Sequence, residues 1–107
     1  MKKETIERIR RFTSDRGWDK FHSPANLAKT IVIEASELLE CFQWNDENFK
    51  IDKVKDELAD VIVNCQNLLD KLNLDVDEIV NNKMDQNEAK YPISKVKGIA
   101  KKYNELD

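Results

Sequence analysis

The chain has 107 residues, 36% charged and 40% hydrophobic, with only two glycines and two prolines, a composition that favours a helical fold over a turn-rich β fold. Its formal net charge of −3 excludes a broad basic surface for nucleic acid, and no apolar stretch reaches the roughly 18 residues of a membrane span. We therefore expect one cytoplasmic domain, residues 1–107, with no nucleic-acid partner and no membrane partner.

The first two predicted helices are bounded by turn residues. Apolar spacing predicts a helix over residues 4–16, which Gly17 ends because glycine readily adopts the left-handed conformation that follows many helices. Ser23 and Pro24 form a favourable N-cap and first-turn pair. A second helix is therefore predicted from there to about residue 44.

Two further helices follow a polar break. The third is predicted over residues 51–72. Asp75 and Glu78 have the spacing of a capping box and predict the start of a fourth helix, which ends near residue 90 because a residue before proline disfavours helix. Four helices in so short a chain indicate an all-α, four-helix antiparallel bundle, in which the second and third helices lie side by side in opposite directions.

Two pairs of acids lie on the rims of apolar helix faces. At about 100° per residue, Glu34 and Glu37 fall at the edge of the apolar arc of the second helix. Glu57 and Asp60 fall at the edge of the third helix's arc, and Asn64 follows on the same side. The side chains predicted to face inward are Leu27, Ala28, Ile31, Val32, Ala35, Leu38, Leu39 and Phe42 on the second helix, and Val54, Leu58, Val61, Ile62, Cys65, Leu68 and Leu72 on the third.

The spacing of these acids indicates a metal site. An i, i+3 pair places two side chains on one face, so two such pairs on packed antiparallel helices aim four carboxylates at one small volume. Unpaired carboxylates that close would repel and take up protons, whereas a bound divalent cation stabilises them. Oxygen-only ligands suit Mg²⁺ or Mn²⁺ rather than zinc. The alternative is ordinary solvated pairs, which are common in a chain with 21 acidic residues.

The fourth helix carries a stripe of cationic and amide side chains. Lys83 lies between Ile79 and Val80 on the predicted inner side, and Asn87 and Lys90 continue the line. A lysine in this position either extends past the core into solvent or faces a metal-charged pocket and shares the charge of a bound polyphosphate.

Large aromatic side chains lie at the predicted helix ends. Trp18, Phe21 and Trp44 either close an open end of the bundle or form a stacking wall for a nucleobase. His22, the only histidine, either hydrogen-bonds a ligand or caps the second helix. The residues alone leave both choices open.

Several stretches of the sequence resemble a known family. Glu34 and Glu37, followed by Glu57 and Asp60, resemble the ExxE…ExxD signature of the MazG-like all-α nucleoside triphosphate pyrophosphohydrolases. Three further stretches, in the right order and spacing, are similar to the dCTP pyrophosphatase branch of that family: GWDKFHSPANL, ELLECFQW and NKMDQNEAKYP. The resemblance extends over roughly residues 9–105.

The resemblance implies Mg²⁺-dependent hydrolysis of a nucleoside triphosphate to the monophosphate and diphosphate, a nucleotide-pool housecleaning reaction. It also implies assembly as a homodimer or a dimer-of-dimers homotetramer, which suits a small bundle with a wide apolar arc. The implied metal ligands are Glu34, Glu37, Glu57 and Asp60. The implied substrate-binding residues are Trp18, His22 and Trp44 around the base and sugar, and Lys83, Asn87, Lys90 and Tyr91 near the phosphates or sugar.

One position departs from the family pattern. Related enzymes often have a tyrosine four residues after the last acidic ligand, where this chain has Asn64. An amide in place of a phenol leaves the selection of base and sugar open. Candidate substrates are dCTP, another deoxynucleotide, or a nucleotide with a modified base.

The expected chemistry needs no covalent nucleophile. Glu34 or Glu37 orients or deprotonates a water that attacks the α-phosphorus, and Lys83 offsets the charge that develops on the leaving pyrophosphate.

The helical pattern with acidic pairs is also compatible with two other classes of protein. A di-iron carboxylate bundle uses Glu-x-x-His pairs on its helices, and the only histidine of this chain lies in a connector. A non-catalytic helical adaptor or nucleotide-binding protein that oligomerises explains the amphipathic helices. It does not explain the acids on their rims.

Overall fold

The structure, a computed structural model, describes residues 1–106. Within that range the chain is helical and contains no strand, so the predicted all-α class is confirmed. The helices are α1 Lys3–Asp15, α2 Pro24–Glu40, α3 Ile51–Lys71, α4 Val76–Lys90 and the short α5 Ile93–Val96, with 3₁₀ turns at Asp19–Phe21 and Tyr103–Glu105. None of the helices in this range combines the length and the apolar character that crossing a membrane requires.

The end of α1 is fixed by a glycine. Gly17 has a φ of 64°, a left-handed conformation that glycine adopts without a Cβ clash. Its N–H donates to the Ser14 carbonyl and the N–H of Trp18 donates to the Thr13 carbonyl, both at 3.1 Å. These are the paired bonds of a Schellman motif, and the predicted stop near Gly17 is confirmed.

Side-chain caps begin α2 and α4. The Ser23 hydroxyl accepts from the N–H of Asn26 at 3.1 Å, and the Asp75 carboxylate accepts from the N–H of Glu78 at 3.0 Å. Each cap satisfies a donor that the first helical turn leaves without an intrahelical partner. Because Ser23 fills this role on α2, His22 is not its cap.

The end of α2 lies earlier than predicted. The helix ends at Glu40, whereas the sequence predicted about residue 44. The N–H groups of Cys41, Phe42 and Gln43 donate to carbonyls three residues back at 3.0–3.2 Å, which is a tighter turn than an α-helix. No glycine or proline marks this end, so apolar spacing alone extended the prediction as far as Trp44.

Helices α2 and α3 form the main packed pair, and α1 packs against α3. The rings of Phe42 and Phe49 lie 4.9 Å apart, beside the end of α2 and the start of α3. At the opposite end, the Lys71 ammonium in the last turn of α3 lies 3.4 Å from an Asp19 carboxylate oxygen, shortly before α2 begins. The two helices are therefore antiparallel, as predicted.

The chain divides into two compact units at the turn between α3 and α4. The first unit is Met1–Asn73, and the second begins at Leu74. Asn73 has a φ of 53°, a conformation that asparagine tolerates better than most residues. In the second unit, the rings of Tyr91 and Tyr103 meet edge to face at 6.3 Å. The arrangement of α1 to α4 as a single bundle stays a prediction.

Many of the predicted core side chains are exposed. Within residues 1–106, Leu27 is the only hydrophobic side chain that is buried. Val32 and Leu39 on α2 are 65% and 69% exposed, and Leu58 and Ile62 on α3 are also exposed. Their predicted inward position is wrong for a single chain, because α2 and α3 meet through a face narrower than their apolar arcs.

The same correction applies to other predicted inward positions. Ile79 and Val80 on α4 are exposed, and so is Lys83 between them. The exposed members of the arcs on α2 and α3 also include Ala28, Ala35 and Leu72. A single chain therefore leaves much of its apolar helix surface in contact with water.

Candidate metal centre

Three carboxylates converge where α2 and α3 pack together. Glu34 and Glu37 lie one turn apart on α2, and Glu57 comes from the second turn of α3. One carboxylate oxygen of each residue lies within 4.8 Å of the others. The antiparallel packing places the second half of α2 against the first half of α3, which is why these distant positions meet.

Glu57 is the most buried acid of the cluster. The residue is only 8% exposed, and its Oε2 atom is buried without a hydrogen-bond partner among residues 1–106. Glu34 Oε2 is also buried without a partner in that range. Buried polar atoms nearly always have a partner, and leaving one unsatisfied costs on the order of 1–3 kcal/mol or more. Two such oxygens in one acidic cluster fit a hard divalent cation such as Mg²⁺ or Mn²⁺.

The closeness of the three acids changes the acidity of Glu37. The neighbouring Glu57 carboxyl, the negative charge of Glu34 and partial removal from water raise the pKa of Glu37 to about 7. Without a cation, the cluster holds a proton close to neutral pH, because repulsion disfavours full ionisation. A divalent cation would release that proton, since carboxylates bind metals in their ionised form.

An open pocket of about 620 Å³ lies against this cluster. Its lining residues are Glu37, Glu40, Cys41, Gln43, Lys53 and Glu57. Lys53 Nζ lies 3.2 Å from Glu57 Oε1, and this close carboxylate raises the pKa of Lys53. Lys53 is missing from the residues predicted for the site, although its i, i+4 spacing from Glu57 is the usual signal for such a pair.

Asp60 does not join the cluster. Of the four predicted ligands, it is the exposed one, and it lies outside the group formed by the other three. Three residues along a helix rotate by about 300°, so Asp60 is directed roughly 60° away from the Glu57 side chain that reaches α2. The structure therefore brings together three of the four predicted carboxylates, and the role of Asp60 as a fourth ligand stays a prediction.

Asn64, where the family often has a tyrosine, is turned along its own helix. Its side-chain Nδ2 donates to the main-chain carbonyl of Asp60 at 2.9 Å, and the residue is half-buried. This bond holds the amide against the main chain of its own helix.

The aromatic residues do not close an end of the helices within one chain. Trp44 is 89% exposed, and Trp18 and Phe21 are exposed as well. Trp18 makes an edge-to-face contact with Phe12 at 5.5 Å between ring centres. The first of the two interpretations of these side chains, as an internal plug, is therefore not supported in a single chain.

His22 lines a different pocket from the acids. This second pocket has a volume of about 470 Å³ and its lining residues are Arg10, Thr13, Ser14, Asp19, His22, Asn67, Asp70 and Lys71. None of the three clustered carboxylates contributes to it. The structure of one chain thus keeps His22 apart from the acidic cluster.

The residues predicted to approach the phosphates belong to the second unit. Lys83 and Lys90 are exposed, whereas Asn87 and Tyr91 are half-buried. The Lys90 ammonium lies 4.8 Å from the centre of the Tyr103 ring. Their role toward a ligand stays a prediction.

Comparison with known proteins identifies the class to which this helical chain belongs. The family model described as MazG-like matches residues 29–106, most of the chain. The dCTP pyrophosphatase 1 of Mus musculus is 34% identical over 115 aligned positions, which cover 95% of this chain and 68% of that protein. The dCTP pyrophosphatase 1 of Homo sapiens is 33% identical with the same shares covered.

A solved structure agrees with these relatives. The crystal structure of a pyrophosphatase from Archaeoglobus fulgidus matches with a TM-score of 0.79 and 42% identity, covering 83% of this chain and 90% of that one. The chain belongs to the MazG-like family, as its sequence motifs predicted, and it is a hydrolase. The di-iron and adaptor alternatives find no support among these relatives.

Proposed function

We propose that the protein is an Mg²⁺-dependent nucleoside triphosphate pyrophosphohydrolase that converts a deoxynucleoside triphosphate and water to the monophosphate and diphosphate. The observation that carries this proposal is a pair of buried oxygens, one on Glu34 and one on Glu57, that have no hydrogen-bond partner within residues 1–106. Both residues belong to the three-carboxylate cluster. It occurs in a chain that is 34% identical to a dCTP pyrophosphatase. The preferred substrate is dCTP or a related or modified deoxynucleotide.

The acidic cluster suits Mg²⁺, with Mn²⁺ as a possible substitute. Glu34, Glu37 and Glu57 would hold the ion, and Asp60 would join them as the fourth ligand of the family signature. When bound, such an ion neutralises phosphate charge and lowers the pKa of a water in its shell. The oxygen-only donor set matches the preference of Mg²⁺ over softer metals.

Glu37 is the stronger candidate for the catalytic base. Glu34 and Glu37 both belong to the cluster, but Glu37 also lines the adjoining pocket, where a substrate would enter. Its carboxylate would accept a proton from the attacking water as the water oxygen bonds to the α-phosphorus. The bond from the α-phosphorus to the oxygen that bridges to the β-phosphorus then breaks, and pyrophosphate leaves with that oxygen.

The remaining substrate contacts follow the family motifs. Trp18, His22 and Trp44 would frame the base and sugar, and the wide exposure of both tryptophans leaves their ring faces available for stacking. The residues proposed to approach the phosphates or sugar are Lys83, Asn87, Lys90 and Tyr91. Asn64, in place of the family tyrosine, would alter how the base or sugar is selected.

We also propose that the enzyme works as a homodimer or a dimer-of-dimers homotetramer. Exposed Val32 and Leu39 on α2 and exposed Leu58 and Ile62 on α3 support this, because a second copy would remove them from water. Within this assembly, we propose that residues 1–107 of each copy form one functional domain with a four-helix core. The family match supports this extent, since residues 29–106 belong to both compact units.

Phosphorus NMR of the protein incubated with dCTP and Mg²⁺ tests the reaction. We expect pyrophosphate and dCMP. Release of orthophosphate, or no turnover across a panel of natural and modified triphosphates, contradicts the proposal.

A matched pair of variants tests the ligand set. Glu57→Gln removes one cluster carboxylate and should abolish turnover, whereas Asp56→Asn makes the same change at the neighbouring exposed position and should leave turnover unchanged. Circular dichroism confirms that both variants stay helical. Full activity in Glu57→Gln would show that the assigned ligands are wrong.

A further inference from the structure

Lys53 shares Glu57 with the candidate metal centre. Lys53 lies one helical turn before Glu57 on α3, and its Nζ is 3.2 Å from Glu57 Oε1. The other oxygen of the same carboxylate, Oε2, is the buried one without a partner among residues 1–106. One carboxylate thus has one oxygen buried without a partner within residues 1–106 and the other paired with an ammonium group.

Lys53 also has access to the pocket beside the cluster. Its side chain is 65% exposed, whereas that of Glu57 is 10% exposed, so the ammonium lies on the solvent side of the pair. Among the lining residues in the described range 1–106, Lys53 is the only cation, and Glu37, Glu40 and Glu57 are acids. The carboxylates of this pocket would repel an entering polyphosphate. Lys53 is the lining residue whose positive charge would attract it.

The hydrogen-bonding capacity of an ammonium group permits a second contact. A lysine has three N–H donors, and the ion pair with Glu57 engages at most one of them. The other two remain for ligand oxygens without loss of the Glu57 contact. Charge-assisted bonds from an ammonium to phosphate are stronger than bonds between neutral groups.

We propose that Lys53 is a phosphate-binding residue of this chain, held at the mouth of the pocket by Glu57 and contacting a non-bridging oxygen of the triphosphate. This inference rests on the proposed function, because it takes the nucleotide to enter the pocket that Glu37 and Glu57 line. In the metal-free protein, the same ammonium is the counter-charge of the buried Glu57 carboxylate.

This placement predicts effects of opposite sign on two ligands. Lys53 repels a divalent cation at the neighbouring cluster, so its removal should leave the affinity for Mg²⁺ alone unchanged or higher. It attracts the triphosphate, so its removal should weaken binding of the nucleotide–Mg²⁺ complex by about tenfold. A lysine that only shaped the Glu57 carboxylate would weaken both in parallel.

The test uses titration calorimetry with Mg²⁺ alone and with a dCTP analogue whose α–β bridging oxygen is replaced by methylene, in the presence of Mg²⁺. Lys53→Gln is compared with Lys53→Arg, which keeps the charge, and with Lys55→Gln. Lys55 is exposed, lies about 200° around α3 from Lys53, and makes no ion pair within residues 1–106. We expect about tenfold weaker analogue binding for Lys53→Gln alone, with affinity largely restored in Lys53→Arg.

Steady-state kinetics with dCTP give a second readout. KM should rise by about tenfold in Lys53→Gln, while kcat changes less. Unchanged analogue affinity and KM in Lys53→Gln, with an active wild type, overturn the role of Lys53 and leave the proposed function standing. Parallel weakening of Mg²⁺ alone and of the analogue also overturns it, in favour of a structural role. A wild type that neither binds the analogue nor turns over any triphosphate overturns the proposed function and the role of Lys53 with it.

Discussion

Arg10 and Asp70 join α1 to α3 through two parallel hydrogen bonds. Arg10 Nε donates to Asp70 Oδ2 at 3.1 Å and Arg10 Nη2 donates to Asp70 Oδ1 at 2.8 Å. Oδ1 also accepts from Nε2 of Gln66 at 2.9 Å, and Gln66 is one of the few buried polar residues, at 5% exposure. Asp70 therefore connects a surface ion pair to a buried amide.

Replacing Asp70 should destabilise the fold more than replacing Arg10. Asp70→Ala leaves the buried Gln66 amide without its acceptor and should lower the free energy of unfolding by about 1–3 kcal/mol. Arg10→Ala keeps that acceptor, and a half-exposed arginine contributes little through its ion pair alone. Urea unfolding measures both, with Arg11→Ala as the exposed control. Equal losses in the two variants would show that the Gln66 bond does not contribute.

The stability of the metal-free protein should depend on pH through Glu37. Its pKa is raised from an ordinary value of 4.5 to about 7 in the folded state, so the native state binds more protons than the unfolded chain between these values. The stabilisation is present below the lower value and is lost as the pH rises through the higher one. Thermal melts in a chelator should show a midpoint that falls across this range.

Mg²⁺ should reverse that fall. The ion binds the ionised carboxylates, so its stabilising effect should grow as the pH rises through the same range. Glu37→Gln cannot ionise and should flatten the pH dependence of the chelated protein. A wild-type midpoint that rises with pH in chelator would contradict the shared proton.

Asp60 should become a ligand only when the ion is present. It is exposed and outside the cluster of three, yet it completes the family signature. Asp60→Asn should weaken Mg²⁺ binding by about tenfold, because loss of a group at the edge of a metal site typically lowers metal affinity by about this factor. Glu57→Gln should cause a larger loss of Mg²⁺ affinity. Calorimetry of both variants measures the difference, and unchanged Mg²⁺ affinity in Asp60→Asn would limit the ligand set to three carboxylates.

The exposed apolar face of α2 should mediate self-association. Leu39→Glu places a charge on a 69% exposed leucine and should shift the protein toward monomers, because burying an unpaired charge in an interface is strongly unfavourable. Light scattering coupled to size-exclusion chromatography measures the mass. Arg11→Glu on α1 is the charge control. A wild type that is already monomeric at high concentration would remove this face as an interface.

Local sequence signals predicted the positions of the helices more accurately than they predicted which helix faces are buried. Ser23 and Asp75 were recognisable as caps because capping depends on the residue itself and the N–H groups next to it. The end of α2 was not recognisable, since the turn after Glu40 contains no glycine or proline. Helix caps and helix-breaking residues are local signals. A helix that ends in a tighter turn, as α2 does, depends instead on the packing around it, here the contact of Phe42 with Phe49.

The candidate site was predicted in part for a related reason. Helical periodicity identified Glu34, Glu37 and Glu57 as acids near an apolar face, and the structure joins them. Periodicity placed Glu57 at the edge of the predicted buried face, whereas the residue is itself buried. This difference arises because the helical-wheel projection assigned every apolar side chain to the interior. The apolar side chains of α2 and α3 divide between a face that packs inside the chain and a face that stays exposed. A helical-wheel projection does not distinguish these two faces, so it does not give the side of the helix on which the acids lie.

The solitary burial of Leu27 among the hydrophobic side chains of residues 1–106 has a thermodynamic consequence. Folding of one isolated copy leaves much apolar helix surface in contact with water, and the assembly proposed above would bury part of it. If stability is gained through that assembly, the unfolding midpoint should rise with protein concentration. Dilution of the protein would then lower its unfolding midpoint.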